Sequence, residues 1–210
     1  MFQGQERHDT ADIPEGGKKM RIDTDIPIPT GKVLLHTCCA PCSSAIVEWM
    51  MNNGITPVIY YCNPNIYPAD EYRIRKDECT RYAQALGLSV VDADYDHAGW
   101  LQCIRGLEDE PERGRRCMQC FRMRLADTAR YAHEHGISVM TTTLMSSRWK
   151  SIEQINEAGR YAASLYPDVM FWEKNWRKGG LTERRAAIIR QYRFYNQQYC
   201  GCEFSMRNKQ

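Results

Sequence analysis

No apolar run in this chain is long enough to cross a bilayer, which excludes a helical membrane protein and predicts no membrane partner. The polar opening stretch, Met1 to Lys19, holds no apolar segment of the kind that directs secretion. The reading is therefore a cytoplasmic protein, with residues 1–30 a disordered tail and 31–205 a single domain. Internal repeats and low-complexity segments are also missing, so a solenoid is excluded. Charge of neither sign dominates: 28 Lys and Arg against 26 Asp and Glu leave a net charge of +2, which selects no class of partner.

What the chain has in excess is cysteine, ten in 210 residues. Structural disulfides are rare in the cytoplasm, so metal binding or redox chemistry is the expected use of so many thiols.

The apolar pattern predicts where they sit. Short runs recur at Val33 to Leu35, Val58 to Tyr61, Leu88 to Val91, Ile137 to Met145 and, more weakly, Val169 to Trp172. Helical stripes separate most of them. Tyr72, Cys79, Tyr82, Ala83 and Leu86 share one face ahead of Gly87, and Phe121, Leu125, Thr128 and Ala132 another, ending near Gly136. Ile152, Ile155, Ala162 and Leu165 form a third stripe, while Glu108 to Pro111 reads as a loop. Alternation of strand and helix predicts an α/β fold, an open parallel sheet with flanking helices and right-handed crossovers.

In that frame His36-Thr37-Cys38-Cys39-Ala40-Pro41-Cys42-Ser43 is a strand–turn–helix at the carboxyl end of the first strand, where open parallel sheets bind ligands. Cys117-Met118-Gln119-Cys120 opens a helix, and its two thiols share one helical face. Arg113, Arg115, Arg116, Arg122 and Arg124 surround the pair with no acid between 113 and 124. The helix N-terminus and these charges are expected to favour thiolates. Cys38 and Cys39 with Cys117 and Cys120 make a four-thiolate set suited to a [4Fe-4S] cluster, which tolerates free spacing and adjacent cysteines. Zinc on two CxxC knuckles, Cys39/Cys42 and Cys117/Cys120, and a thioredoxin-like dithiol at Cys39 and Cys42 remain open beside it. Cys200-Gly201-Cys202 is a third group; a disulfide across one residue is strained and hence labile. Cys79 and Cys103 read as structural, and Cys62 follows the second strand with no assigned role.

Three further segments belong at the same edge. Cys62-Asn63-Pro64-Asn65-Ile66-Tyr67-Pro68 is a stiff turn whose Asn63 and Asn65 could meet a base or sugar, although Asn and Pro also serve turns alone. Thr141 to Thr143 could bring hydroxyls. The arm over about 172–202 is basic: Lys174 to Arg193 holds seven Lys or Arg and one acid, Glu183. Trp172, Trp176, Tyr192, Phe194, Tyr195 and Tyr199 interleave or flank it. Arg184, Arg185 and Arg190 would bind phosphate and the rings would stack on bases, unless the face is merely solvated and the rings are core.

Taken together, His36 to Cys42, Asn63 to Pro68, Arg116 to Leu125, Thr141 to Leu144, Trp176 to Gly180 and Gln197 to Cys202 resemble the cobalamin-independent epoxyqueuosine reductase family, also called the queuosine biosynthesis protein QueH family. The match spans about residues 32–205. The chain departs from it at Ser146-Ser147-Arg148-Trp149-Lys150, where members often carry Ser-Pro. The resemblance implies a fold of the adenine nucleotide α-hydrolase kind, with cysteines in place of the phosphate loop and hence no ATP use. It also implies the reaction: the epoxide of epoxyqueuosine, at the tRNA wobble position in the anticodon loop, becomes the alkene of queuosine. That takes two electrons and two protons, releases water, and needs an electron donor that the sequence does not identify. The runner-up reading is a zinc-stapled tRNA- or protein-binding module without catalysis.

One cluster passes single electrons, so a second device is expected. Either Cys200 and Cys202 are catalytic as a redox-active pair, or they join Cys42 in holding one additional iron as a Lewis acid beside the epoxide oxygen.

Overall fold

The structure, a computed structural model, describes residues 29–206, so all but the last two residues of the expected tail lie outside the described residues. Five strands form one sheet: β1 (Gly31–His36), β2 (Ile55–Tyr61), β3 (Val90–Asp92), β4 (Val139–Thr142) and β5 (Met170–Phe171). All neighbours are parallel, in the order β3-β2-β1-β4-β5. The expected open parallel α/β sheet is therefore what forms. Val33, Leu34, Leu35 and His36 of central β1 are all buried. A strand covered on both faces needs an unbroken apolar run rather than alternation, and β1 has one.

Six helices flank the sheet: α1 (Ala40–Asn52), α2 (Ala69–Ala85), α3 (His97–Cys103), α4 (Arg115–Glu134), α5 (Ile152–Ser164) and α6 (Leu181–Tyr192). Helix α1 is buried almost all round, because α6 covers the side that the sheet does not. Trp49 on α1 meets the rings of Trp172 and Trp176 at 6.1 and 5.6 Å, and the Lys174 ammonium lies 4.3 Å from the Trp49 ring centre. On the other layer α4 packs on α5, and α5 packs on β5 so closely that a Cβ on Gly159 would fall 2.1 Å from the Phe171 ring.

From β1 the chain steps outward to β2 and β3, then returns to the far side of β1 as β4. Loops leaving β1 and β4 therefore diverge and open a crevice at their carboxyl ends. His36 and Thr142 are register partners across that switch. Strand β4 is shorter than the apolar run Ile137 to Met145, because the Thr142 hydroxyl accepts from Leu144 N at 3.1 Å and turns Thr143–Ser146 into a 3-10 helix. Helix α3, which the apolar pattern did not mark, is capped by Asp96 accepting from Gly99 N at 2.8 Å. No described helix is long and apolar enough to cross a membrane.

Candidate metal and redox site

Cys39 is the N-cap of α1 and Pro41 lies in its first turn, so the turn after β1 is stiff and its thiols converge. The Sγ atoms of Cys38, Cys39 and Cys42 all lie within 4.8 Å of one another, with Cys38 and Cys39 at 3.8 Å. Among the described residues no other three His, Cys, Asp or Glu bring ligand atoms so close. The trio can bind a metal ion: soft thiolates select zinc and iron. The Cys39 and Cys42 thiols donate to Cys38 and pull its pKa well below the ordinary thiol value, with Lys150 and the Thr143 hydroxyl adding to the effect. Burial pushes Cys39 up, and donation to Cys38 pushes Cys42 up, so of the three thiols it is Cys38 whose thiolate the surroundings favour. The Thr143 hydroxyl lies 3.4 Å from Cys38 Sγ, and Gln197 Nε2 donates to Cys39 Sγ at 3.1 Å.

Beneath the trio, buried His36 donates from Nε2 to the Cys62 carbonyl at 3.0 Å and accepts at Nδ1 from the Thr142 hydroxyl at 2.8 Å. Burial, then the neighbouring Arg124 charge, lowers its pKa to about 3, so the ring is neutral. Buried Arg124 donates to the same Cys62 carbonyl at 3.1 Å and to Asn63 Oδ1, while Asn63 Nδ2 donates to the Thr37 carbonyl at 2.8 Å. The turn after β2 is thereby locked to the turn after β1. Thr141 instead donates to the Trp172 carbonyl at 2.9 Å, so of the three threonines only Thr143 reaches the thiols.

The second thiol group gathers Cys117 and Cys120 near Cys200 and Cys202. Cys120 and Cys202 share a small apolar cluster with Trp100, Ile104 and Phe204, and the Cys117 thiol feels the charges of Cys120, Cys200 and Cys202. Neither Cys117 nor Cys120 joins the trio at its spacing. Burial pushes Cys117 up to about 12, against the Arg113 N–H that donates to its sulfur at 3.3 Å. The expected thiolate at Cys117 is therefore corrected: its arginines are spent elsewhere. Arg115 pairs with Glu110 at 2.7 Å, Arg116 donates to the Glu108 carbonyl at 2.7 Å, and Arg122 pairs with Glu157 at 2.8 Å. Burial also raises Cys202, to about 11.

The Cys200-Gly201-Cys202 segment docks on the turn after β2. Tyr67 N donates to the Gly201 carbonyl at 2.9 Å. Arg75, paired with Glu71 at 2.7 Å, donates to the Tyr199 and Cys200 carbonyls at 3.4 Å each. Gly201 has φ +133°, and a Cβ there would stand 3.2 Å from Asn65 and Ile66, so this position requires glycine.

Cys38 and Cys42 of the trio and Cys200 of the second group line one cavity of about 1010 Å³, together with Asn63, Asn65, Arg75, Arg124, Lys150, Arg177 and Arg185. Of the arm's expected contacts, Arg185 reaches this cavity. Arg184 is instead paired with Glu48 at 2.7 and 2.5 Å, and Arg190 is exposed away from it. Asn63 is engaged at both ends, whereas the buried Asn65 Oδ1 has no partner. Trp172, Trp176 and Phe194 are core, and Tyr192 packs on Tyr82 at 5.1 Å, so these rings of the arm are not a stacking surface. Cys62 and Cys79 are buried, with pKa values raised by that burial. The apolar pattern left Lys150, Arg75 and His36 without a role. Burial works against the Lys150 ammonium, but Cys200, Cys38 and Cys42 outweigh it and raise its pKa.

Thiols backed by buried cations, in a cleft at the switch point of a parallel α/β sheet, define a metal-binding or redox enzyme. The family described as epoxyqueuosine reductase QueH matches residues 33–208. An epoxyqueuosine reductase QueH from Histophilus somni (strain 129Pt) is 49% identical over 189 residues, 90% of this chain and 78% of that protein. One from Haemophilus influenzae is 48% identical over 189 residues, covering 90% and 77% respectively. One from Thermotoga maritima is 31% identical over 179 residues, 84% of this chain and 91% of the relative. The chain belongs to the epoxyqueuosine reductase QueH family and is an oxidoreductase.

Proposed function

We propose that the chain reduces the epoxide of epoxyqueuosine at the tRNA wobble position to the alkene of queuosine, the last step of queuosine biosynthesis, in the cytoplasm. The observation that carries this reading is the convergence of Cys38, Cys42 and Cys200 with Asn65, Lys150 and Arg185 on one cavity of about 1010 Å³. That volume suits a nucleoside-sized ligand. What supports an iron–sulfur cluster is the chemistry of the donors, soft thiols of which Cys38, Cys42 and Cys200 line one cavity beside Lys150, Arg124 and Arg185. Cys38, Cys39, Cys117 and Cys120 would hold a [4Fe-4S] cluster, which when bound supplies low-potential single electrons.

The chain's own residues account for the rest. When the Cys200 and Cys202 thiols close to a disulfide they give up two electrons and two protons. Both carbon–oxygen bonds of the epoxide break, the carbon–carbon double bond forms, and the oxygen leaves with those protons as water. An electron donor then restores the dithiol. In a second arrangement Cys42, Cys200 and Cys202 hold one additional iron. Asn65 Oδ1, buried and without a partner, is placed to accept from a substrate hydroxyl or amine, and Asn63 fixes the turn that presents it. Arg185 carries the phosphate contact of the arm with Arg190, while Arg184 contributes less because Glu48 already occupies it.

One distance favours a second reading of the metal. The Cys38–Cys39 separation of 3.8 Å equals the edge of a tetrahedral site with metal–sulfur bonds of about 2.3 Å. A single ion on Cys38, Cys39 and Cys42 would fit that edge.

Anaerobic purification and analysis separate these readings. About four irons and four sulfides per chain fit the cluster, about five irons fit the extra metal, and about one metal without sulfide fits the trio alone. The activity is tested with epoxyqueuosine-containing tRNA and a low-potential reductant, read by nucleoside mass. Cys200→Ser and Cys202→Ser should each abolish turnover and keep the visible absorption. Normal multiple turnover by Cys200→Ser would overturn both roles of the pair. Charge reversal at Arg184, Arg185 and Arg190 together should weaken tRNA binding and flatten its salt dependence; unchanged affinity would remove the arm from the interface.

A further inference from the structure

Four of the five tryptophans, Trp49, Trp100, Trp172 and Trp176, are at most 2% exposed, whereas Trp149 is 59% exposed. A lone exposed ring needs no explanation on a featureless surface. This one stands on the rim of the thiol cavity, which Arg148 and Trp149 line together with Cys38 and Cys200.

The loop that carries it is held by charge rather than by packing. Arg113 donates from Nε to the Trp149 carbonyl and from Nη2 to the Arg148 carbonyl, both at 3.0 Å. Arg177 donates from Nε to the Met145 carbonyl at 2.9 Å and from Nη2 to the Lys150 carbonyl at 2.7 Å and to the Ser147 carbonyl. Gln154 Nε2 donates in turn to the Arg113 carbonyl at 2.7 Å, which holds that arginine's own backbone. Two arginines thus hold the carbonyls of Met145, Ser147, Arg148, Trp149 and Lys150, and with them the backbone from which the indole projects. The Arg148 guanidinium lies over this ring at 4.9 Å.

An exposed aromatic on a held backbone at a cavity mouth has a use if the ligand is one nucleotide of a strand. A base that enters the cavity must leave its stack, and its neighbour is then left with an uncovered face. Aromatic rings and arginine planes replace such a stack, and a held backbone limits the freedom lost in doing so. We propose that Trp149, backed by Arg148, is the platform on which the anticodon-loop base adjoining the target nucleotide stacks while that nucleotide occupies the cavity. The proposal rests on the tRNA reading above and adds a specificity-determining contact to it.

Binding of anticodon stem-loop RNA to the metal-loaded protein tests it, with guanosine at the target position so that no turnover occurs. Three RNAs are compared: the intact loop and two loops abasic at one or the other flanking position. Trp149→Ala should raise Kd about 10-fold on the intact loop, and Trp149→Phe should stay within about 3-fold of wild type. One abasic loop should raise the wild-type Kd by a similar factor, and on that loop Trp149→Ala should cost nothing further. Tight wild-type binding with Trp149→Ala unchanged, or with the same alanine cost on all three RNAs, overturns the platform and leaves the tRNA reading standing. Failure of the wild type to bind any of the three overturns both.

Discussion

Replacing His36 by Gln isolates one titration at the base of the site. His36 is fully buried and neutral, held between the Cys62 carbonyl and the Thr142 hydroxyl, with its pKa lowered from 6.5 to about 3. Protonation at Nδ1 would remove the acceptor that Thr142 needs and place a charge beside Arg124. A folded pKa below the unfolded one means that the unfolded chain takes up the proton first. The neutral ring therefore costs no stability above pH 6.5, and stability is lost as pH falls from there toward 3. The slope is about 1.4 kcal/mol per pH unit, so between pH 7.5 and 5.0 the loss is about 2 kcal/mol, and any folded pKa below about 4 gives nearly the same figure. Gln can still donate to the Cys62 carbonyl but does not titrate. Urea unfolding of both proteins in the same metal state, at pH 7.5, 6.5, 5.5 and 5.0, gives the stability difference directly, and the other histidines cancel. Wild type minus variant should fall by about 2 kcal/mol across the range. A difference flat to about 0.5 kcal/mol would mean that His36 does not face the proton as a buried neutral ring, and the account of the β1–β4 switch would fall with it.

Gly159→Ala should lower stability by about 1–3 kcal/mol, because its Cβ would fall 2.1 Å from the Phe171 ring; a variant that melts above wild type would contradict the α5–β5 packing. Gly201→Ala should cut turnover at least about 10-fold with the visible spectrum intact, since φ +133° and contacts at 3.2 Å to Asn65 and Ile66 force the Cys200–Cys202 segment to move. Wild-type turnover would show that the segment's seating on the Asn65 turn does not matter. In metal-free protein at pH 7, iodoacetamide should modify Cys38, whose pKa is lowered, well before Cys117, whose pKa burial pushes up to about 12, and leave buried Cys62 and Cys79 for last. Peptide mapping that finds Cys79 labelled as fast as Cys38 would refute that order.

The sheet was legible because its central strand is buried on both sides. Val33 to Leu35 can only be read as an unbroken apolar run, and the helical stripes before Gly87 and Gly136 fall where α2 and α4 form. Strand β5, two residues long, and helix α3, seven residues long, left weak or no periodic signal. The end of β4 was set by a single hydroxyl, Thr142 accepting from Leu144 N, a local capping choice that apolar periodicity does not register. The aromatics of the arm misled for a related reason. Trp172 and Trp176 stand beside lysine and arginine in sequence, but their indoles turn inward onto Trp49 and hold Lys174 over their faces.

The site divides in the same way. Motif spacing could bring Cys38, Cys39 and Cys42 together because one turn and one helix start hold all three. It could not say that Arg115, Arg116 and Arg122 turn away from Cys117, because their partners Glu110, Glu108 and Glu157 come from other segments. A run of arginines beside a thiol lowers its pKa only if the guanidiniums remain directed at it, and here burial prevails. The cations that do face the thiols include Lys150 and Arg124, brought in by the loop after β4 and by the third turn of α4. Lys150 carries no motif of its own, and Arg124 stands in the arginine run beside Cys117 and Cys120; that both also act on Cys38 follows only once β4 lies beside β1. The charge balance of the site is thus a property of the switch point, and it is the part of the function that tertiary structure alone supplies.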